Sequence, residues 1–556
     1  MTSGDGDDWT HEVDLLVVGS GAGGMTAALT GALAGLETLV VEKAPVYGGT
    51  TALSGGGIWV PNNHVLRAAG VVDSEERVVE HLEHLTGGRV ARARLEALVH
   101  HGPEMFELFR DSARHLDFAW CPGYPDYHPE EPGGRPEGRT VECPPYDLRN
   151  LGDLADTQRG SSMTVPGGLV ITAADYVKLA MVTRTWRGRL TAVRLAFRAL
   201  VNRVLRRRMV SLGQSLVARL RASLADLGVP LWLDAPLLDL VRGPDGAVVG
   251  AIVERDGVPV SVRARGGVVI ASGGFDHNET MRKEHLPEIG RPDVSGGADS
   301  NTGDGILAGR AVGAALDLMD DAWWMPAIRK PEGRVHSLVS ERSIPNSLIL
   351  TPDGERFTNE ASPYVTFVHE QIEAGHPYLW FVMDQVARRR YPFGAVVPGK
   401  DLPPSWYDAG LAHRADTLAG LAARTGMDAE TLERSVARFN RLAESGTDSD
   451  HGRGDSAYDR YYGDPTLANP VLGPVAEPPY LAVRIEAGDL GTKGGLLTDE
   501  HARVVDDGGA PIDGLYATGN AAASVMGNDY AGAGATIGPA MVFGYIAARH
   551  AAGPRT

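Results

Sequence analysis

Residues 14–42, DLLVVGSGAGGMTAALTGALAGLETLVVE, constrain the fold of this chain more than any other stretch, because they hold a strand, a tight glycine turn, a helix and a second strand in succession. Leu15 to Val18 is an apolar run, and Gly19, Gly21 and Gly24 follow at GxGxxG spacing. Glycines so placed allow a sharp turn, close approach of the backbone to a pyrophosphate, and tight helix-to-strand packing. The helix beginning near Ala22, with Ser20 and Gly23 around its entrance, aims unpaired N–H groups and a positive dipole end at that pyrophosphate. The second strand, Thr38 to Val41, ends in Glu42, 23 residues after Gly19. A carboxylate there accepts hydrogen bonds from a ribose diol and repels a 2′-phosphate, which favours FAD or NAD over NADP.

Lys43 to Pro61 then gathers Gly48, Gly49, Thr50, Thr51, Ser54, Gly55 and Gly56 into one loop, a second glycine stretch able to line an extended dinucleotide. An NAD enzyme has little use for it, so the reading moves to FAD. An apolar strand later in the chain ends in Ser272-Gly273-Gly274 and reads as a second strand end brought back to the nucleotide. The carboxy-terminal stretch closes the same site. Residues 514–520 read as a strand feeding a glycine turn at Gly519-Asn520, and Gly534 to Ala540 as the entrance to a final helix. The fold expected is α/β: a discontinuous Rossmann-like FAD-binding domain of residues 1–298 and 487–556, with an inserted α+β catalytic domain at 299–486.

Between these ends, residues 171–226 read as helical, with Leu190, Val193, Phe197, Leu200, Val201 and Val204 on one apolar face. From Asp175 to Arg208 there are ten Lys or Arg and a single acidic residue. That inversion in an acidic protein makes 175–208 a candidate for peripheral contact with anionic lipid, against the commoner reading of a solvated or subunit-facing helix. Short strands and hairpins are expected over 231–271, a helix from about 304 through Ala311 to Met319, and further helices near 417–424 and 429–443.

The 556-residue chain, with 53 Lys and Arg against 71 Asp and Glu, has a net charge of −18, which argues against a general nucleic-acid surface. Its two cysteines, Cys121 and Cys143, are too few for a disulfide framework and fit a reducing cytoplasm. The first dozen residues read as a flexible acidic lead-in without signal-peptide order, and no apolar run is long enough to span a bilayer. No HExxH, CxxC or paired-carboxylate cluster suggests a catalytic metal.

Taken with VEKAPVYGGTTALSGGGIWVPNN at 41–63, GYPDYHPEEPGG at 123–134, SAYDRYYGDPT at 456–466, GDLGTKGGLLTDEHARV at 488–504 and GLYATGNAAASVMGNDYAGAGATIGPAM at 514–541, the chain resembles the fumarate reductase and succinate dehydrogenase flavoprotein superfamily. Within it, the chain looks like the 3-ketosteroid Δ1-dehydrogenases. The resemblance implies removal of a hydride from one ring carbon of a 3-ketosteroid to flavin N5, and of a proton from the carbon beside the carbonyl. It implies Tyr530 as hydroxyl donor and Gly534 as amide donor to the ketone oxygen, Gly534 also sitting where a side chain would block the ketone. Tyr127 is implied as an aid to proton removal, a task for which a phenol needs cationic or hydrogen-bonding neighbours.

The family's principal proton-abstracting tyrosine falls in a segment like Glu341 to Pro345, where this chain has Ile344. On that alignment the usual base is missing, and Tyr364, or Tyr127 alone, would have to replace it. The resemblance further implies non-covalent FAD, with Glu42 on the adenosine ribose, Thr50 and Ser54 at the pyrophosphate or flavin, Asn520 at the ribityl region, and Thr536 with Ile537 on the flavin ring. Lys43, Gly49, Thr51, Gly274 and Asp304 complete the expected cofactor set. Electrons would leave to a quinone or another acceptor, since the one fingerprint is already used.

A dicarboxylate enzyme would need arginine clamps, yet Val525 to Phe543 offers Asp529 as its only charged residue. A Δ4-(5α)-dehydrogenase resembles the family with a hydroxyl residue two places after the active-site tyrosine, where this chain has Gly532. A non-enzymatic flavin redox sensor is the rival from another class.

Overall fold

The computed structural model describes residues 9–161, 169–287 and 292–553, so the first eight residues of the expected lead-in lie outside it. Strand β1 (His11–Val18), helix α1 (Ala22–Leu33) and strand β2 (Thr38–Val41) form as expected. β1 pairs in parallel with β2 on one side and with β3 (Val258–Ile270) on the other. β3 in turn pairs in parallel with β4 (Pro511–Ala517), and β2 with the short strand Leu231–Trp232. Residues from both chain ends therefore share one sheet. Leu15, Leu16 and Val17 have no exposed surface, as befits a parallel strand covered on both faces. The final helix, Ile537–Ala551, packs on α1 and is itself largely buried.

A second sheet takes its strands from Ala322–Arg329, Val335–Ser337, Ser347–Leu350, Leu379–Met383, Ala412–Ala415 and Tyr480–Thr492, all paired antiparallel. Period-2 geometry divides each strand between two cores. Phe381, Val483 and Ile485 face Phe367 and Val368 on one side, while Trp380, Val382 and Ala482 face Leu432, Val436 and Phe439 on the other. The strand Tyr480–Thr492 runs through residues 486 and 487 without a break and ends beside the nucleotide turn, where Thr492 Oγ1 accepts from Phe275 N–H at 3.0 Å.

Two helical expectations are corrected. Residues 171–226 form three helices: α2 (Ala173–Ala180), α3 (Trp186–Val204) and Gly213–Asp226. The first break sits where Thr185 caps Gly188 N–H, and the last helix starts after Leu212 at φ +58°. The helix expected to reach Met319 stops at Ala311, because Gly313 turns the chain at φ +94° toward the strand Leu316–Asp317.

Candidate active site

The three fingerprint glycines have separate tasks. A Cβ on Gly19 (φ +106°) would lie 2.3 Å from Ala271 O, where β3 ends, and one on Gly24 would lie 2.0 Å from Gly19 O. A Cβ on Gly21 would meet only Thr51 Oγ1, at 3.7 Å, so this glycine faces open space. Gly19 and Gly21 line a continuous cavity of about 1020 Å³ and Gly24 does not. Gly23 lines it too, and its neighbour across the interface is Ala540 O of the final helix. Gly274, expected beside the nucleotide, is withdrawn from the wall: a Cβ there would be 2.1 Å from Thr492 Oγ1, and Gly273 faces the cavity in its place.

Glu42 is buried at the end of β2. It accepts from Ser20 N–H (3.1 Å), Ser20 Oγ (2.5 Å) and Ala44 N–H (3.0 Å). Thr51 Oγ1 accepts from Ala22 N–H (3.0 Å), and Thr50 Oγ1 from Ala298 N–H (3.0 Å) and Asn301 Nδ2 (2.9 Å), which ties the glycine loop to both sides of the cradle. Lys43 Nζ lies 2.6 Å from Asp304 and 2.5 Å from Thr302 Oγ1, so Lys43 and Asp304 form an ion pair on the wall. Ser54, Gly49, Gly55 and Gly56 line the same lobe. At the other end Gly519, Asn520, Thr536 and Ile537 reach it from the carboxy-terminal segment, with Asn520 Oδ1 held by Trp323 Nε1 at 3.1 Å. Small residues, backbone donors and a helix start around one elongated lobe fit a dinucleotide.

The cavity continues into a pocket walled by tyrosines. Tyr530 is buried, and its ring stands edge-on to Tyr127 at 5.0 Å and lies 5.5 Å from Tyr364. Its hydroxyl lies 3.2 Å from Thr536 Oγ1. Tyr127 Oη donates to Tyr364 Oη at 3.0 Å. Burial raises the Tyr530 phenol, against hydrogen bonds from Thr536 and Tyr364 and from the backbone of Gly534 that lower it. Tyr127 and Tyr364 are pushed well above the usual phenol range, chiefly by burial. At Gly534 (φ +90°) a Cβ would lie 2.3 Å from the Gly57 carbonyl, so the neighbouring strand by itself excludes a side chain there.

Ile344 does not stand at this site. Its side chain is buried in the core beside the second sheet, while Tyr364, the first residue of helix α4 (Tyr364–Glu373), lines the cavity. The alignment that put the base position on Ile344 fails because the chain turns at Glu341–Ser343 and carries Ile344 inward. Arg342, two residues earlier, was missed by the sequence reading. It is fully buried, donates to Leu338 O (3.0 Å) and to Glu360 O and Ser362 O (both 2.7 Å), and its charge interacts with Tyr458, Asp459, Tyr127 and Tyr364. Burial lowers its own pKa, and Tyr458, the Asp459 carboxylate, Tyr127 and Tyr364 raise it.

Several other charges at and around the cavity are paired. Arg329 pairs with Asp293 at 3.0 Å, and Glu341 with His336 at 2.8 Å. Asp529 is held by His128 at 2.8 Å. Among the described residues, His100, His101 and Glu104 have metal-ligand spacing, and none of them lines the cavity.

Comparison with known proteins agrees with this geometry. The FAD binding domain family model matches residues 14–537. A 3-oxosteroid 1-dehydrogenase of Mycobacterium tuberculosis is 45% identical over 98% of this chain and 98% of its own length. One from Mycolicibacterium smegmatis is 43% identical over 97% of each. The chain belongs to the 3-oxosteroid 1-dehydrogenase family of FAD flavoproteins. The solved 3-ketosteroid Δ1-dehydrogenase of Sterolibacterium denitrificans, in complex with 1,4-androstadiene-3,17-dione, superposes with a TM-score of 0.93 at 39% identity, covering 98% of this chain and 100% of that one. The cofactor of the family is FAD, and the glycine cradle described above fits it.

Proposed function

We propose that this protein is an FAD-dependent 3-oxosteroid 1-dehydrogenase, which forms a C1–C2 double bond in the A ring of 3-ketosteroids. The observation that carries the reading is the convergence of Tyr127, Tyr364 and Tyr530 in the cavity that also holds the dinucleotide cradle. Bound FAD supplies the acceptor for the hydride that leaves C1. Ser20, Glu42, Thr50, Thr51, Ser54, Asn520 and Ile537 would hold it without a covalent link.

The protein's own residues handle the proton and the carbonyl. Tyr530 Oη and Gly534 N–H donate to the ketone oxygen and stabilise the negative charge that grows on it as the C2 proton leaves. Tyr364 Oη receives that proton. Tyr127 donates to Tyr364 and so stabilises its deprotonated form, and the buried Arg342 guanidinium adds a cation facing the pair. Without such neighbours a phenol raised by burial would be a hydroxyl of no use as a base at neutral pH. The apolar wall, including Met325 and Leu490, excludes water.

The electron acceptor belongs to the same reading as a quinone or comparable small oxidant, with the protein working in the cytoplasm and touching membrane through residues 175–208. The test is anaerobic addition of a panel of 3-ketosteroids to the purified flavoprotein, with product analysis. Bleaching of the flavin with a new C1–C2 double bond is expected. A product unsaturated at C4–C5, or no bleaching with any ketosteroid, would overturn the assignment.

A further inference from the structure

The surface of α3 is inverted relative to an ordinary amphipathic helix. Trp186, Leu190, Val193, Phe197, Leu200 and Val204 recur at spacings of four and three, which places them on one stripe of the helix. All six are between 58 and 75% exposed. The buried side is made of Gly188, Thr191 and Leu195 instead. A globular protein buries its apolar stripe and presents polar residues to water, so this arrangement calls for a covering.

The charges around the stripe say what covers it. By helical geometry Arg187, Arg194 and Arg198 flank one side, and Arg189 and Arg203 the other. Arg194 and Arg198 pair with Asp175, whereas Arg187, Arg189, Arg203, Arg206 and Arg207 are exposed and have no ion pair among the described residues. The helix contains no acidic residue. Two copies packed stripe to stripe would set these arginines against each other with nothing to neutralise them. Lipid acyl chains beneath anionic headgroups satisfy both the stripe and its basic borders, in a protein whose net charge of −18 otherwise repels such a surface.

The inner side of the same hairpin faces the substrate. A Cβ on Gly188 would lie 2.6 Å from Lys178 O and 2.7 Å from Met181 O, so α3 rests directly on the last turn of α2. That turn supplies Leu179, Ala180 and then Val182 to the cavity wall. Earlier in α2, Tyr176 is 6.3 Å from Tyr462, which is hydrogen-bonded to Tyr124 at 2.8 Å, and Tyr124 is 6.5 Å from Tyr127. A row of tyrosines thus leads from the reacting residues to a helix that carries the exposed stripe on its back.

We propose that α3 is an interfacial anchor that lies in the headgroup region of an anionic bilayer and sets the cavity wall formed by α2 at the lipid surface, so that an apolar ring ketone enters from the lipid. The identity of that ligand rests on the function proposed above; the anchoring does not. The experiment uses the full-length holoenzyme with vesicles of phosphatidylcholine alone or with phosphatidylglycerol, read by flotation at low and high salt, beside the variants Leu190→Glu/Phe197→Glu and Arg187→Gln/Arg189→Gln/Arg203→Gln. Wild type is expected to float with the phosphatidylglycerol vesicles at low salt and at least tenfold less with phosphatidylcholine alone. Each variant should lose binding at least tenfold. All three proteins should keep their flavin spectrum and equal turnover of 4-androstene-3,17-dione delivered in cyclodextrin, while the variants turn over vesicle-loaded steroid at least fivefold more slowly than wild type. Failure of wild type to float, or sedimentation as a dimer that the Glu variants dissociate, would overturn the anchor. Flotation without ketosteroid turnover in cyclodextrin would leave the anchor standing and remove the substrate.

Discussion

Tyr127 and Tyr364 are 237 residues apart in the chain and their hydroxyls lie 3.0 Å apart, with Tyr127 donating. A phenol that accepts a hydrogen bond is more easily deprotonated, because the bond stabilises its phenolate, so this arrangement supports the proposal of Tyr364 as the base and Tyr127 as its partner. Tyr364→Phe is expected to lower kcat about 10³-fold and Tyr127→Phe about 10²-fold, within the range for removal of an acid–base group. Both phenols are raised far above neutrality. The wild-type rate limited by proton removal should therefore climb with pH, and the climb should vanish in Tyr364→Phe. Stopped-flow flavin reduction measures both, and a larger loss in Tyr127→Phe than in Tyr364→Phe would reverse the assignment.

The nucleotide cradle was legible in the sequence because its parts are local. Turn, helix start and acidic strand end all fall within residues 14–42, and their spacing alone fixes their geometry. Tyr364 and Arg342 were not legible as partners of Tyr127, because only the antiparallel second sheet and the turn at Glu341–Ser343 bring those segments together. The stripe on α3 was visible as a period, but periodicity tells which residues share a face and not whether that face points inward. Gly534 was found for its place in a motif, while its physical reason, the backbone of Gly57, came from a strand more than 470 residues earlier.

Tyr530→Phe removes the proposed hydroxyl donor to the ketone and leaves the ring that packs against Tyr127 and Tyr364. The loss should resemble that of one oxyanion-hole donor, about 10²- to 10³-fold in kcat, with little change in KM. Steady-state kinetics on one ketosteroid decides it. A variant that kept wild-type kcat would show that the carbonyl is polarised elsewhere.

Gly534→Ala places a methyl group against the Gly57 carbonyl in a backbone conformation that L residues rarely adopt. The left-handed conformation alone costs about 1–2 kcal/mol for alanine, and the collision adds to it. The variant should melt several degrees below wild type and retain less flavin after gel filtration. A variant as stable as wild type would mean that the loop yields freely.

His128 and Asp529 sit beside Tyr127 and Tyr530 and join their loops at 2.8 Å. Burial of His128 opposes its charge, but the hydrogen bond and charge of Asp529 prevail and raise its pKa above the usual value. Burial raises the Asp529 carboxyl, but the hydrogen bond and charge of His128 bring it below its usual value. The histidine contribution is complete below its unfolded pKa and fades as pH rises through the raised folded value. The aspartate contribution is complete above its unfolded pKa and fades as pH falls through the depressed one. His128→Gln should therefore lower Tm most between about pH 4 and 6.5, with a gap to wild type that narrows on the alkaline side.

Glu142 shows the opposite sign to Asp529. It lines the cavity beside α2, and both of its carboxylate oxygens accept from Ala173 N–H, at 3.0 and 3.1 Å. Burial outweighs that bond and raises its pKa to about 7. A carboxyl whose folded pKa lies above its unfolded value favours the folded state at low pH and loses that advantage as pH climbs from about 4.5 to 7. The penalty above that window is on the order of 3 kcal/mol, at 1.36 kcal/mol per pKa unit. Glu142→Gln keeps an acceptor for Ala173 N–H and removes the buried charge, so its Tm should exceed that of wild type at pH 8 and match it near pH 5. Calorimetric melts across that range, with flavin content checked at each pH, measure the difference. A variant less stable than wild type at pH 8 would mean that the ionised carboxylate is needed to hold the start of α2.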